Sequence, residues 1–433
     1  EKPMAHQDNP DREYRLLQQR LDRMVTGAPE SPALDKILQL LFTPQEAAMA
    51  RRIPTIPTSL SKLARKFKMP EEELDHKLTE LAQRGVVMDL SRNGQRYYTL
   101  APVVIGFFEF TFMRAREDMP MAELAQLFHN YMFEDDRFIR AVFQGDTQIG
   151  RSLVREEALP DEDHVEILDW ERASHIVQSA TAVGVSLCAC RHKNEHLGEA
   201  CDRPQRTCFS LNFAAQSLIR SGVAEAISNK EGMVILEQAK GAGLAQTGDN
   251  VRRNVTYICN CCGCCCGMMQ AIRTFDLRNA IVTSNWIMDI DPEKCKGCGL
   301  CVKACPVSAI AIAEERENGK RRRWAVRDET LCLGCGSCYP TCNLGAISMR
   351  SRDKRVYTPE TTFDRVVAMA IERGKLAETV FANPERLSFR ALGRVVQALE
   401  KSPPLRAAAA IKPLRSAFLQ GVVGNVSRFV SGI

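Results

Sequence analysis

Eighteen cysteines lie between Cys188 and Cys342, and eight of them stand in two copies of one spacing. The first copy reads Cys295-x-x-Cys298-x-x-Cys301-x-x-x-Cys305-Pro306, the second Cys332-x-x-Cys335-x-x-Cys338-x-x-x-Cys342. A 4Fe–4S cube carries one iron at each of four corners, so three thiolates must converge on it from a short loop. Two-residue gaps allow this, and Gly297, Gly299, Gly334 and Gly336 ease the turns. The fourth cysteine of such a run ligates the other cluster. The spacing therefore assigns Cys295, Cys298, Cys301 and Cys342 to one cluster, and Cys332, Cys335, Cys338 and Cys305 to the second. Structural zinc takes four ligands, usually as two separated pairs, and doubled eight-thiol spacing does not fit it. The chemistry expected is one-electron transfer, with no catalytic residue in the motif itself.

The other ten thiols form two groups: Cys188, Cys190, Cys201 and Cys208, then the run Cys259, Cys261, Cys262, Cys264, Cys265 and Cys266. Six thiols in eight residues are a liability unless metal or sulfide holds them. The ten are expected to bind one or two further iron–sulfur clusters, two being the central expectation. If the run is extended, side chains alternate faces. Cys259, Cys261 and Cys265 would then face one way, and Cys262, Cys264 and Cys266 the other. A non-cubane cluster on more than four cysteines, or one cluster plus free thiols, also fits. His192 and His196, with Arg191 and Lys193, are expected near a cluster as hydrogen-bond donors or on the surface, not as ligands.

The chain continues after the fourth cysteines as Cys305-Pro-Val-Ser-Ala-Ile and Cys342-Asn-Leu-Gly-Ala-Ile. Over about sixty residues this resembles the bacterial dicluster ferredoxins. That resemblance implies two pseudo-symmetric halves, each a hairpin and a short helix, carrying single electrons; Asn343 stands where the second proline would sit. Residues 34–374 as a whole resemble bacterial 4Fe–4S dicluster proteins with an N-terminal winged helix. The residues that carry this are Cys188-Ala-Cys190-Arg191-His192, Cys201-Asp202-Arg203-Pro204, Gly243-Leu244-Ala245-Gln246 and Ile258-Cys-Asn-Cys-Cys-Gly-Cys-Cys-Cys. The resemblance implies an electron carrier of anaerobic metabolism.

The elements that must position these thiols give an α+β multidomain chain. Residues 1–33 are polar and read as an arm. Residues 34–51 and 59–67 have helical spacing, the second capped by Thr58 or Ser59. Pro70 opens a helix with a Leu74, Leu78, Leu81 stripe, closed by Gly85. Residues 86–90 and 97–100 around Asn93-Gly94 read as a hairpin. Residues 34–115 thus form a winged helix, 116–180 a helical connector with loops at 144–149 and 161–163, 181–285 a mainly helical cysteine-rich domain, 286–350 the dicluster ferredoxin domain, and 351–433 a basic helical tail. The winged helix is expected to dock protein, because its third helix carries Glu71, Glu72, Glu73, Asp75 and Glu80 against Lys77 and Arg84, a charge opposite to what phosphates need. Gly241-Ala-Gly243 follows a helical stretch where a dinucleotide fingerprint would follow a strand, so Gly241 reads as a helix stop.

The net charge of +5 is small for 433 residues, and at 45% apolar the composition is that of an ordinary folded chain. No stretch reaches the ~18–20 apolar residues that span a bilayer. Clustered thiols without a basic-then-apolar leader suit a reducing cytoplasm. The tail stripe of Leu414, Phe418, Val422, Val426 and Phe429 or Val430 would allow peripheral membrane contact. With no flavin or nicotinamide site visible, the expected function is relay of low-potential electrons within an oxidoreductase assembly, a flavoprotein or other reductase subunit being the partner. Catalysis at an unusual upstream cluster and a redox-sensing transcriptional regulator are the alternatives.

Overall fold

The computed structural model describes residues 10–159, 169–317 and 320–380. They divide into two compact units, one of residues 10–111, 116–142 and 373–380, the other of Phe112–Ala115 and Phe143–Glu372. The basic tail stripe, the 161–163 loop and most of the 351–433 segment lie outside the described residues.

The first unit corrects the reading of residues 1–33 as an arm. Pro10–Asp22 is a helix that buries Tyr14, Leu17 and Leu21. Its i, i+3, i+7 stripe is easily overlooked among the charged residues on its other faces. Residues 34–51 are two helices, Pro32–Leu41 and Pro44–Ala50. Pro44 cannot continue the first, and Thr43 with Glu46 forms a reciprocal capping box for the second. Leu60–Phe67 and Glu71–Arg84 follow, and Gly85 ends the latter at φ +85°. A Cβ there would stand 2.6 Å from Phe110 Cβ, so glycine is required twice over. Val87–Arg92 and Gln95–Leu100 pair through Asn93-Gly94, both at positive φ as a tight hairpin demands. The short strand Thr58–Ser59 adds on the other side of Gln95–Leu100. Arg96 ties the hairpin down, donating to Asp75 at 2.5 Å and Asp89 at 2.9 Å. Residues 373–380 close this unit: Arg373 donates to Val25 O, and Lys375 to Asp22 O and Met24 O.

The second unit is built on a six-stranded antiparallel sheet. Its strands run in the order Gly150–Ser152, Ala245–Asp249, Tyr257–Cys261, Arg206–Leu211, Val183–Leu187, Glu225–Ile227. The expectation of a mainly helical domain at 181–285 is therefore corrected: helices Ala189–His196, Asn212–Arg220, Asn229–Gly241 and Gly267–Phe275 connect and cover a sheet. The strands are short and interrupted by glycine, serine and cysteine, so their period-two signal is faint. Asn229–Gly241 ends at the glycine read as its stop, and Gly243, just past the Ala242 cap, takes the left-handed conformation at φ +72°. Val183, Val185, Phe209, Leu211 and Ile258 lie in one apolar core with Leu236 and Val177. After the sheet come the pair Trp286–Ile290 with Ile347–Ser351 and the hairpin Ile310–Glu317 with Lys320–Arg327.

In the first unit Ile105 sits at φ +50°, an unfavourable place for a β-branched residue. The Glu109 carboxylate accepts the Gly106 N–H at 3.0 Å and holds that kink. Burial raises the Glu109 pKa to about 7 from an ordinary 4.5. The folded state then binds more protons than the unfolded between those values, so stability falls as pH rises from 4.5 to 7. Glu109→Gln should remove this loss, on the order of 3 kcal/mol across the range, read by urea unfolding at both ends of it. A slope unchanged in the variant would remove Glu109 as its source.

Candidate metal centres

The ferredoxin segment repeats its local geometry. Four residues before each first cysteine stands an aspartate whose carbonyl accepts that cysteine's N–H at 3.0 Å: Asp291 for Cys295 and Asp328 for Cys332. Each aspartate also caps its loop, Asp291 Oδ1 accepting from Glu293 and Lys294, and Asp328 Oδ1 from Thr330 and Leu331. Each fourth cysteine accepts a backbone N–H onto Sγ from four residues on, Ala309 to Cys305 at 3.2 Å and Ala346 to Cys342 at 3.3 Å. Ala325 N–H donates to Cys295 Sγ at 3.3 Å. Cys305, Cys332, Cys335 and Cys338 line one cavity with Met288, Leu333 and Met349. Cys305 thus stands beside the three cysteines of the second motif, the placement that a crossing fourth ligand requires. Burial pushes the Cys305 thiol up to about 11, and charge on Cys335 pushes the same way. Gly334, at φ +69°, packs so tightly on the Trp286 carbonyl that no Cβ fits. Cys298 is the exposed member of the first set, and Cys301 is buried.

The upstream thiols divide by sheet geometry. On Tyr257–Cys261, Ile258 enters the apolar core, so Cys259 and Cys261 point to the opposite face. On Arg206–Leu211, Phe209 and Leu211 enter the core, and Cys208 shares the face of Cys259. The strand ends at Cys261. Residues 262–266 then turn, Cys266 N–H reaching Cys262 O at 3.3 Å. The turn resets the alternation, which corrects the expected partition: Cys265 and Cys266 exchange groups. Cys266 Sγ lies 3.4 Å from Cys261 Sγ and also contacts Cys190. An inner group of Cys190, Cys208, Cys259, Cys261 and Cys266 results, with Cys188 close by. Thr247 Oγ1 contacts Cys261 Sγ at 3.2 Å. Cys188 and Cys266 cap the N-termini of Ala189–His196 and Gly267–Phe275, where helix dipoles favour thiolate. The outer group is Cys201, Cys262, Cys264 and Cys265.

Residues 294–346 match the model of the 4Fe-4S dicluster domain family. The match covers both doubled loops and none of the upstream thiols. No curated protein and no solved structure matches the chain. The chain therefore holds a 4Fe-4S dicluster domain and, separately, a cysteine cluster in the 201–266 region. No helix among the described residues is long and apolar enough to cross a membrane.

The interior between the two upstream groups holds cations. Arg191 is fully buried, and Lys193 is 3% exposed. Arg191 donates to Asn260 O at 3.0 Å, to Thr207 Oγ1 and to Cys262 Sγ at 3.8 Å. Burial works to lower its pKa, and charge on Cys188 and Cys262 overcomes this and raises it. Burial lowers that of Lys193, while charge on Cys190 opposes the change. A buried cation is costly unless an anion meets it. Here the anions are sulfurs, and burial pushes the free Cys188 thiol up to about 12. Thiols so placed become anionic when metal binds them. The contact of Arg191 Nη1 with Cys262 Sγ puts a guanidinium donor directly on one of these sulfurs. The charge of the site therefore fits metal-bound thiolates.

His192 and His196 join no thiol group among the described residues: His192 Nδ1 meets Phe112 O at 2.8 Å, and both rings pack with Phe112. Sequence reading did not single out Asp291, Asp328 or Thr247 for the sites. The two aspartates were legible as a second repeat, Asp-x-x-x-Cys; Thr247 carried no signal. Arg191→Ala should destabilise the second unit by roughly 3–5 kcal/mol, the cost of stripping one partner from a buried pair. Denaturant unfolding followed by absorbance of the bound metal would show it, and a loss under about 1 kcal/mol would mean that Arg191 compensates no buried charge.

Proposed function

We propose that the protein relays low-potential electrons through iron–sulfur clusters within an oxidoreductase assembly. Cys295, Cys298, Cys301 and Cys342 hold one 4Fe–4S cluster, and Cys332, Cys335, Cys338 and Cys305 hold the other. The observation that carries the reading is the single cavity lined by Cys305 with Cys332, Cys335 and Cys338, four ligands converging from both motifs. The clusters supply reversible one-electron chemistry. The chain's residues exclude water and donate N–H groups to sulfur from Ala309, Ala325 and Ala346, which stabilises the reduced, more negative state. Exposed Cys298 brings the first cluster's edge to a partner, proposed to be a flavoprotein or other reductase subunit.

The upstream turn supports a longer chain of centres. A Cβ at Gly263 would run into the Pro306 carbonyl, so the thiol-bearing turn lies against the residue next to Cys305. Electrons can step between centres so placed. The inner five-thiol group also favours a second reading, chemistry at an unusual cluster, because it offers more thiols than one cubane takes. The 34–115 segment is proposed as a winged helix that docks protein and not DNA. Its Glu71, Glu72 and Glu73 are exposed at the start of Glu71–Arg84. A reducing cytoplasmic location, with peripheral membrane contact through the tail, completes the proposal.

Three measurements test it. Anaerobically purified protein should carry about eight irons and eight sulfides in the ferredoxin segment, plus those of the inner group. Cys298→Ala with Cys335→Ala should abolish the paramagnetic signals of the reduced ferredoxin clusters, and iron retained in full would refute their assignment. The full chain should fail to bind duplex DNA at low salt. Specific binding that changes with oxidation would instead make it a regulator.

A further inference from the structure

The outer thiols are gathered more tightly than a cube permits. Cys201 Sγ lies 3.8 Å from Cys262 Sγ and 3.9 Å from Cys265 Sγ, and Cys265 Sγ lies 3.7 Å from Cys264 Sγ. All four sulfurs fall within 4.8 Å of one another. A single tetrahedral ion with bonds of about 2.3 Å separates its sulfurs by about 3.8 Å. A four-iron cube sets an iron behind each thiolate and spreads the four sulfurs over a wider tetrahedron. The same chain supplies the comparison: among the described residues the eight ferredoxin cysteines form no such tight group.

We propose that Cys201, Cys262, Cys264 and Cys265 form a closed mononuclear site for one tetrahedral metal ion, a zinc or a lone iron. The proposal rests on the reading that the upstream cysteines bind metal, and it divides them by kind: a single ion on the outer four, a polynuclear centre on the inner group. Zinc is the ordinary occupant of a closed four-cysteine tetrahedron. A dication within four thiolates keeps two negative charges, and two guanidiniums meet them. Arg191 Nη1 reaches Cys262 Sγ at 3.8 Å, and Arg203 Nη1 reaches Cys264 Sγ at 3.9 Å. Arg203 Nε is fixed on Ala242 O at 3.2 Å.

The surrounding chain is built to hold that turn. Gln270 Nε2 donates to Gly263 O at 3.0 Å and Cys264 O at 2.7 Å, and Arg273 Nη1 to Gly263 O at 2.9 Å. Cys201 comes from the loop after Ala189–His196, so the ion staples that loop to the turn. The same turn rests on Pro306. The ion is therefore a clamp that fixes the upstream segment on the ferredoxin segment; as zinc it would carry no electron itself.

The test uses the full chain purified without oxygen, with zinc, iron and acid-labile sulfide measured on one sample. Cys201→Ala with Cys264→Ala should remove one zinc per chain, or one iron without matching sulfide, and leave the ferredoxin iron, sulfide and visible absorption in place. Loss of several irons with equal sulfide would show a cluster at these four and overturn the proposal. So would an unchanged metal content. Should the variant fail to fold, the unmodified chain grown with cobalt in place of zinc answers the question. Cobalt bound here should give the intense visible bands of a tetrahedral thiolate site, and their absence from both this sample and a lone-iron spectrum would also refute it. A preparation without any iron would sink the electron-relay reading and leave the zinc count standing.

Discussion

Buried charge must be met by opposite charge, and the second unit is arranged around that requirement. Thiols gather on one face of its sheet and at the helix start beside it, where burial pushes Cys188 toward neutrality. Arg191 and Lys193 stand among them with almost no exposure. Buried neutral thiols are tolerated, but the two cations are not without anions beside them, and metal binding is what would make the sulfurs anionic. The apolar face of the same sheet has no such demand and packs as an ordinary core. One strand period therefore sorts the residues into a dry layer and a ligating layer.

The ferredoxin segment solves the same problem locally. Each loop draws on its own aspartate four residues upstream and on a backbone N–H four residues beyond its last cysteine. These bonds need no distant partner, which is why the segment is recognisable from sequence over residues 294–346. The upstream thiols depend instead on contacts between residues some sixty apart, such as Cys201 with Cys262 and Arg191 with Asn260.

That difference explains what was legible. The doubled cysteine spacing, the Asn93-Gly94 hairpin and the Glu71–Arg84 helix with its Gly85 stop all rest on short-range rules, and all are found where read. The six-stranded sheet was missed because its strands are short and carry glycine, serine, cysteine and asparagine where valine and isoleucine would announce them. The parity of the cysteine run failed for two of its members, Cys265 and Cys266, because the chain turns after Cys261. The opening helix was missed because Tyr14, Leu17 and Leu21 are spread among charges.

The order of the chain has its own consequence. The first unit is completed by residues 373–380, whose Arg373 and Lys375 bond the carbonyls of Asp22, Met24 and Val25. Nearly all of the other unit is encoded between these partners. During synthesis the ribosome must release every cysteine before the segment that finishes the first unit emerges. Metal delivery to the nascent chain thus has a window in which the sulfur-rich insertion is fully exposed from the tunnel while its host is still open.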